Sequence, residues 1–585
     1  LRVNLRKKNL SIQRQQWGSE FALIHHFLYT VFDWADKSRR NMSNTLRVIP
    51  LGGLGEVGKN MMVYEYDDQL LVVDTGIMFP ENDMLGIDYI IPDFQYLKDN
   101  REKIVGVVIT HGHEDHTGAI SHLVDEIDVP IYATLLTRGL LEVKLSKNGL
   151  LGVVDLRTVQ AGETVKIGPF VVEFFHVCHS VPDAVGLGIT TPEGLVVHTS
   201  DYKFDPTPVD GWPTDFAKLA EFSGRGVLAL FADSTNADKP GWTPSERVID
   251  SALDNVFRAA PGRILVASFA SLISRMQQVA NAADRHGKKL AFVGLSMTEN
   301  AKMAQQLGYL NIPEGVEISL DQALKMKNDK VVLMCTGSQG EPSSILGRLS
   351  AGTNRRFSVQ EGDTIVLSSH PIPGNEEGIF RTINRLFRRG ANVIYEPLHS
   401  VHVSGHASQD EMRLMLHLVK PKFFIPTHGE LRHLKQHALI AEDAGIPPEN
   451  IEVIENGQIV EFHNGTMKLG DRIPGGYVFV DGDRPGEVGP SVVREREALA
   501  RDGIVLISLT LDQNGRLLDE PEIITRGFIY KHDADDLLKE TIVRIEDTIE
   551  RGQGNLHEDI TQTVRSFLYN ETKRRPQVFV TLSLV

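Results

Sequence analysis

From residue 46 onward the chain alternates short apolar runs with longer stretches of helical periodicity, which predicts an α/β architecture. Several runs end on a residue able to bind metal. Residues 70–73 run into Asp74, 104–110 into His111, 171–177 towards His179, 195–199 towards Asp201, and 423–427 into His428. Read as buried strands, they deliver a His or Asp at their carboxyl ends, where ligand-binding loops gather in layered α/β sheets.

A second series of runs covers 226–232 before Asp233, 264–267, 290–293, 331–334 and 364–367, separated by helical stretches at 245–259 and 273–284. It predicts an inserted parallel-sheet domain over 216–390, with the metal-binding domain made of 46–215 and 391–455. Gly-rich and polar text then predicts a linker over 456–485. A smaller α+β domain follows over 486–585, with a strand at 504–511, a turn at Asn514-Gly515 and a helix at 533–551.

Composition narrows the class. A chain of 585 residues exceeds one hydrophobic core, and 41% hydrophobic with 24% charged residues is a soluble globular balance. Cys178 and Cys335 both lie inside apolar runs, so neither a disulfide framework nor a thiolate metal site is expected, which fits a reducing cytoplasm. The net charge of −16 excludes a protein that coats duplexes by neutralising phosphates, but not an enzyme with a local basic groove. Residues 1–41 are basic and carry an apolar stretch at 21–34 that His25 and His26 interrupt. No small-residue cleavage site follows it, and it falls short of the roughly 20 residues of a membrane span. Residues 1–45 are therefore expected to be a disordered or spurious extension, with Met42 as the natural start.

The densest chemistry is His111-Gly112-His113-Glu114-Asp115-His116, between a strand and the helix-like stretch 117–126. The two alternating imidazoles can serve one cation while Asp115 and His116, turned by the start of the helix, serve a second. Imidazole and carboxylate ligands suit zinc, and two cations about 4 Å apart clamp a phosphoryl displacement. Four potential ligands in six residues are hard to explain as a chance His-rich loop.

With Asp74 upstream and His179, Asp201 and His428 downstream, the pattern resembles the five-motif set of the metallo-β-lactamase superfamily. On that likeness His111, His113, Asp115, His116, His179, Asp201 and His428 are the metal ligands. Asp201 bridges two cations, and Asp74 orients a metal-site histidine rather than ligating. The long insertion, Asp233-Ser234-Thr235-Asn236 and His402-Val403-Ser404-Gly405-His406-Ala407 are similar to the extra motifs of the β-CASP nucleases. From about residue 46 to the end the chain resembles the ribonuclease J family. That likeness includes Leu51-Gly52-Gly53-Leu54-Gly55-Glu56-Val57-Gly58, Thr336-Gly337-Ser338-Gln339-Gly340-Glu341-Pro342 and Ser369-His370-Pro371-Ile372-Pro373-Gly374-Asn375-Glu376. One departure is Leu272, where the family usually has Asn.

The resemblance implies an αββα metallo-β-lactamase sandwich with an inserted β-CASP α/β domain and a small α+β C-terminal domain. It implies hydrolysis of RNA phosphodiesters by water activated at two zinc ions, with manganese or magnesium as alternatives. Cleavage would run 5′ to 3′ from monophosphorylated ends, with some endonuclease activity, in rRNA processing and mRNA decay. His406 would stabilise the transition state or protonate the leaving oxygen, with Asp74, Asp115 and Asp233 completing the catalytic set. His402, Ser404, Gly405, His406, Ala407 and Arg275 would contact RNA, the small residues of 404–407 offering amides to a terminal phosphate. Expected partners are single-stranded RNA, further copies of the chain in a dimer or tetramer formed through the C-terminal domain, and other RNA-decay proteins, with no membrane. Arg381, Arg385, Arg388 and Arg389 line an RNA groove or are simply the solvated face of a helix. Competing readings are a thioester or lactam hydrolase and a catalytically silent RNA-binding scaffold. A redox di-iron protein would carry an acid in place of His113.

Overall fold

The computed structural model describes residues 44–585 except Asn82, Pro373, Asp483 and residues 530–533 and 553–554. The expectations for residues 1–41 and for the start at Met42 therefore lie outside the described residues.

The metal-binding region is two stacked sheets. In one, eight strands run in the order Thr466–Arg472, Gln458–His463, Leu46–Gly52, Met61–Tyr66, Gln69–Val73, Ile104–Ile109, Ile131–Ala133, Leu156–Thr158. In the other, six run Pro421–Thr427, Val227–Asp233, Gly194–His198, Val185–Thr191, Phe170–His176, Thr164–Ile167. Side chains alternate across each strand. Phe174, Val196, Phe231 and Ile425 meet Val48, Tyr64, Leu71 and Val108 between the sheets, whereas Phe175, Val197, Leu230 and Phe424 pack outward. The outward set lies under the helices Phe216–Arg225, Gln409–Val419 and Leu431–Asp443, through residues such as Phe222, Met415 and Ile440. Burial on both faces is why these strands read as continuous apolar runs rather than alternating ones.

The inserted domain holds an all-parallel sheet in the order Lys289–Val293, Val331–Cys335, Ile264–Ala267, Thr364–Leu367, Asn392–Ile394. Its two faces bury Val266, Met334 and Val366 on one side and Leu265, Leu333 and Ile365 on the other. Three expected boundaries shift. Val227–Asp233 belongs to the six-stranded sheet, in parallel register with Gly194–His198 and Pro421–Thr427, not to the insertion. Asn392–Ile394 closes the inserted sheet rather than opening the resumed domain. Residues 458–472, expected as linker, form a hairpin whose first strand pairs with Leu46–Gly52.

By itself, the second compact unit comprises Phe79–Ile91 and Tyr477–Val585, so it starts earlier than residue 486 and recruits a segment from the first hundred residues. The strand Ile504–Leu511 lies between Glu522–Arg526 and Gln577–Leu584, and Val505, Ile507 and Leu509 pack under the helices Asp535–Arg551 and Leu556–Thr572. No helix among the described residues is long and apolar enough to cross a membrane. Both cysteines are buried and free.

Candidate metal centre

Parallel pairing brings the strand ends to one edge. Val73 lies opposite Val108, and Asp233 lies opposite Thr427, so the residues that follow each strand emerge together. Three of the turns there place a non-glycine residue in the left-handed region: Asp74 at φ 63°, Ser200 at φ 55° and His428 at φ 46°. Such backbone costs about 1–3 kcal/mol per residue and persists where surroundings hold it. Here the Gly-rich stretch near residue 53 helps to hold it, since Leu54–Gly55 pairs with Gly429–Glu430 immediately after His428.

Three groups of side chains able to hold a metal ion meet at Asp201, and two of them comprise the expected ligand sets. His111, His113, His179 and Asp201 form one, and Asp115, His116, Asp201 and His428 the other, with the ligand atoms of each within 4.8 Å of one another. His113 Nδ1 lies 3.2 Å from His111 Nε2 and 3.1 Å from His179 Nε2. Ligands at a tetrahedral centre with metal–nitrogen bonds of about 2.0–2.1 Å lie about 3.3–3.4 Å apart, so these rings are spaced as a shared cation requires. Asp201 Oδ2 is 3.2 Å from His116 Nε2, 3.6 Å from His111 Nε2 and 3.8 Å from His179 Nε2. That oxygen and His428 Nε2 are buried without hydrogen-bond partners. Orphaned buried polar atoms of this kind are costly, and a divalent cation satisfies both.

The surroundings orient the ligands. Asp74 Oδ2 accepts from His116 Nδ1 at 2.7 Å, and Asp74 Oδ1 accepts from the Thr110 amide at 2.8 Å. His179 Nδ1 donates to the Gly405 carbonyl at 2.8 Å, leaving Nε2 for the centre. Gly405 is required there, because a Cβ would lie 2.6 Å from His179 Cε1. His428 Nδ1 donates to Asp201 Oδ1 at 2.7 Å.

Electrostatics divides the histidines. Burial lowers His111, His113 and His179, the second to about 4, so their ring lone pairs are free at neutral pH. Burial opposes charge at His116 and His428 too, but the Asp201 carboxylate, reinforced by Asp115, raises both. Asp201 itself is held well below the usual carboxylate range: burial works against its charge, and His428, His116 and His406 outweigh it. A cation entering the second set must displace protons from those raised histidines. Metal titration at pH 7 in buffers of different ionisation enthalpy is therefore expected to show net proton release, with affinity falling as the pH is lowered. Binding without proton release would contradict this assignment.

Residues 54–240 match the metallo-beta-lactamase superfamily, 261–386 the ribonuclease J beta-CASP domain, 390–453 the Zn-dependent metallo-hydrolase RNA specificity domain and 491–585 the ribonuclease J C-terminal domain. The chain is 43% identical over 509 residues to ribonuclease J of Synechocystis, covering 87% of this chain and 79% of that protein. It is 40% identical to ribonuclease J 1 of Streptococcus pyogenes, covering 91% of this chain and 96% of that one. It is 39% identical to ribonuclease J2 of Bacillus subtilis, covering 92% and 98%. The chain belongs to the ribonuclease J family. A solved structure of a protein of unknown function from Enterococcus faecalis, 16% identical with a TM-score of 0.51, covers 71% of this chain and all of that one, and shares the fold.

Against this family background, the remaining expected residues separate. Asp233 lies beside the two ligand sets, where its Oδ2 accepts from His406 Nδ1 at 2.8 Å. His406 reaches Asp201 Oδ2 at 3.9 Å. Ser404 Oγ accepts from Asn236 Nδ2 at 2.8 Å, and Ala407 is buried. His402 is partly buried, with Nδ1 unpartnered.

Arg275 is the clear correction. Expected to contact RNA, it is 1% exposed, its guanidinium taken up by Glu246 Oε2 at 2.8 Å, the Val401 carbonyl at 2.9 Å, Gln278 and Ser368. Replacing Arg275 by alanine leaves Glu246 buried without its closest partner, at a cost of about 3–5 kcal/mol. A lower denaturant midpoint would report that cost; an unchanged midpoint would refute it. Leu272 is also buried, so no surface contact is lost by the departure from Asn. Arg381, Arg385, Arg388 and Arg389 lie on the exposed side of Glu376–Arg388 and its C-cap, opposite buried Ile379, Ile383 and Leu386. Arg389 is anchored there, its Nε donating to the Ser350 carbonyl at 2.8 Å.

Sequence reading passed over Asn60, Thr243 and Glu411. Asn60 sits against the motif through Nδ2, 3.1 Å from His116 Nε2 and 3.2 Å from the Asp115 carbonyl. No local pattern marks it. Glu411 is the exception, because Ser408-x-x-Glu411 is a legible capping box.

Proposed function

We propose that this chain is a 5′-to-3′ exoribonuclease that prefers monophosphorylated ends, cleaves internally as well, and works with a pair of zinc ions, manganese or magnesium being the alternatives. The family and its domains make the protein a metal-dependent ribonuclease hydrolase, which sets aside the thioester or lactam hydrolase and the silent scaffold. What supports the cation pair is one oxygen, Asp201 Oδ2, which faces His111 and His179 of one set and His116 of the other, beside the His406–Asp233 pair.

His111, His113, His179 and Asp201 would hold one cation, and Asp115, His116, Asp201 and His428 the other. A bound divalent pair supplies Lewis acidity and lowers the pKa of water from 15.7 to about 7. The protein's own groups do the rest. Asp74 fixes the tautomer and orientation of His116. Burial alone would strip His406 of its proton, but the carboxylates of Asp233 and Asp201 push it up to about 9, so it is protonated at neutral pH. With Nδ1 committed to Asp233, its Nε2 can donate a proton to the departing 3′ oxygen. Products would carry a 5′ phosphate and a 3′ hydroxyl. The Ser404-Gly405-His406-Ala407 segment, with His402 beside it, would receive the terminal phosphate. The protein would act in the cytoplasm on single-stranded RNA in rRNA processing and mRNA decay, alongside other RNA-decay proteins, self-associating as a dimer or tetramer through its C-terminal region.

The test is incubation of purified protein with 5′-labelled monophosphorylated RNA, a 5′-triphosphorylated control, and a chelator. Release of labelled mononucleotide from the first substrate, weaker release from the second and none with chelator is expected. Internal fragments alone from the first substrate would overturn the 5′-end reading.

A further inference from the structure

Glu411 has no exposed surface, although it is acidic and lies outside both ligand sets. A buried carboxylate must have its lone pairs filled. Glu411 fills them with main-chain donors from three separate segments. Its Oε1 accepts from the Phe204 amide at 2.8 Å, and its Oε2 accepts from the Thr243 amide at 2.7 Å and the Ser408 amide at 2.9 Å.

All three segments lead to the centre. Phe204 closely follows Asp201 in the chain, and Ser408 closely follows His406. Thr243 donates its hydroxyl to the His406 carbonyl at 2.6 Å, and the same carbonyl accepts from Asn236 Nδ2 at 3.1 Å. A helix cap accounts for the bond to Ser408, since Ser408 and Glu411 form a capping box at the start of Gln409–Val419. It does not account for the bonds to Phe204 and Thr243, which lie 207 and 168 residues away in the chain.

We infer that Glu411 is a positioning residue, whose carboxylate clamps the Asp201, Thr243 and His406 segments together and so sets the His406 imidazole against the reacting phosphate. It touches neither substrate nor cation. It acts through main chain, so its effect belongs in the turnover step and should vanish once His406 is gone. Sub-ångström placement matters here, since a displacement of about 1 Å at a catalytic group can cost about 10²-fold in rate.

The inference rests on hydrolysis at this centre, and a double-mutant cycle tests it. Single-turnover cleavage of 5′-monophosphorylated RNA is compared for wild type, Glu411→Gln, His406→Ala and the double variant, with metal content measured for each. Glutamine keeps the shape but aims a donor at amides that are already donors. Glu411→Gln should slow cleavage about tenfold to a hundredfold in the wild-type background. With His406 already alanine, it should slow cleavage less than about twofold. Metal content should not change. Equal losses in both backgrounds, or a parallel loss of metal, would overturn the inference while leaving the ribonuclease reading intact. A wild type that leaves RNA uncut would sink both. Should Glu411→Gln fail to fold, Thr243→Val keeps all three amide bonds and deletes only the hydroxyl that reaches the His406 carbonyl and Ser408 Oγ. The same non-additivity is expected from it, and additive losses would overturn the inference.

Discussion

Replacing Asp201 by alanine should slow RNA cleavage by more than about 10⁴-fold, because on the proposed assignment one change removes a ligand from both cation positions at once. Asp201 Oδ2 faces His116, His111 and His179, and Oδ1 accepts from His428, so Asp201 is the residue the two sets share. Elemental analysis should find metal occupancy reduced at both positions. Asp115→Ala is the control: Asp115 belongs to only one set, so it should weaken one position and spare the other. If Asp201→Ala kept full occupancy, the bridging role would be refuted, whatever happened to the rate.

The second large effect is at His406. Its replacement by alanine should lower kcat about 10²–10⁴-fold, the range for losing a general acid, while metal content stays that of the wild type. Geometry makes this a sharp test, because Asp201, Asp233, His406 and His428 also converge closely enough to hold a cation by themselves. Against that grouping, Asp233 is already committed to His406 Nδ1 and to the Thr235 amide at 2.9 Å. Loss of metal in parallel with activity would move His406 from proton donor to ligand.

Much of the centre was legible because its ligands follow strands. A buried strand announces itself by an unbroken apolar run, and the polar residue just after it marks the sheet edge, as Asp74 and His428 do directly and His111 does one residue beyond Thr110. What the runs did not reveal is which sheet each joins. Val227–Asp233 and Ile264–Ala267 are both buried along their whole length, yet the first pairs with Pro421–Thr427 and the second with Val331–Cys335. Pairing between parallel strands depends on non-local contacts that a local pattern does not encode.

The missed hairpin at 458–472 did carry a signal. Asn464 and Gly465 both adopt positive φ, 50° and 69°, the mark of a turn that favours the Asn-Gly pair. Reading the Gly-rich text as linker overlooked it. Arg275 failed for the opposite reason: the family likeness suggests RNA, and nothing local shows that Glu246, 29 residues earlier, has already claimed it. The clamp at Glu411 was half legible, as a cap, while its longer reaches were not.

Anomalous diffraction from crystals grown with zinc, collected on both sides of the metal edge, tests the central claim most directly. Two peaks are expected, one enclosed by His111, His113 and His179, the other by Asp115, His116 and His428, with Asp201 Oδ2 coordinating both. A single peak, or none in contact with Asp201, would contradict the two-cation centre.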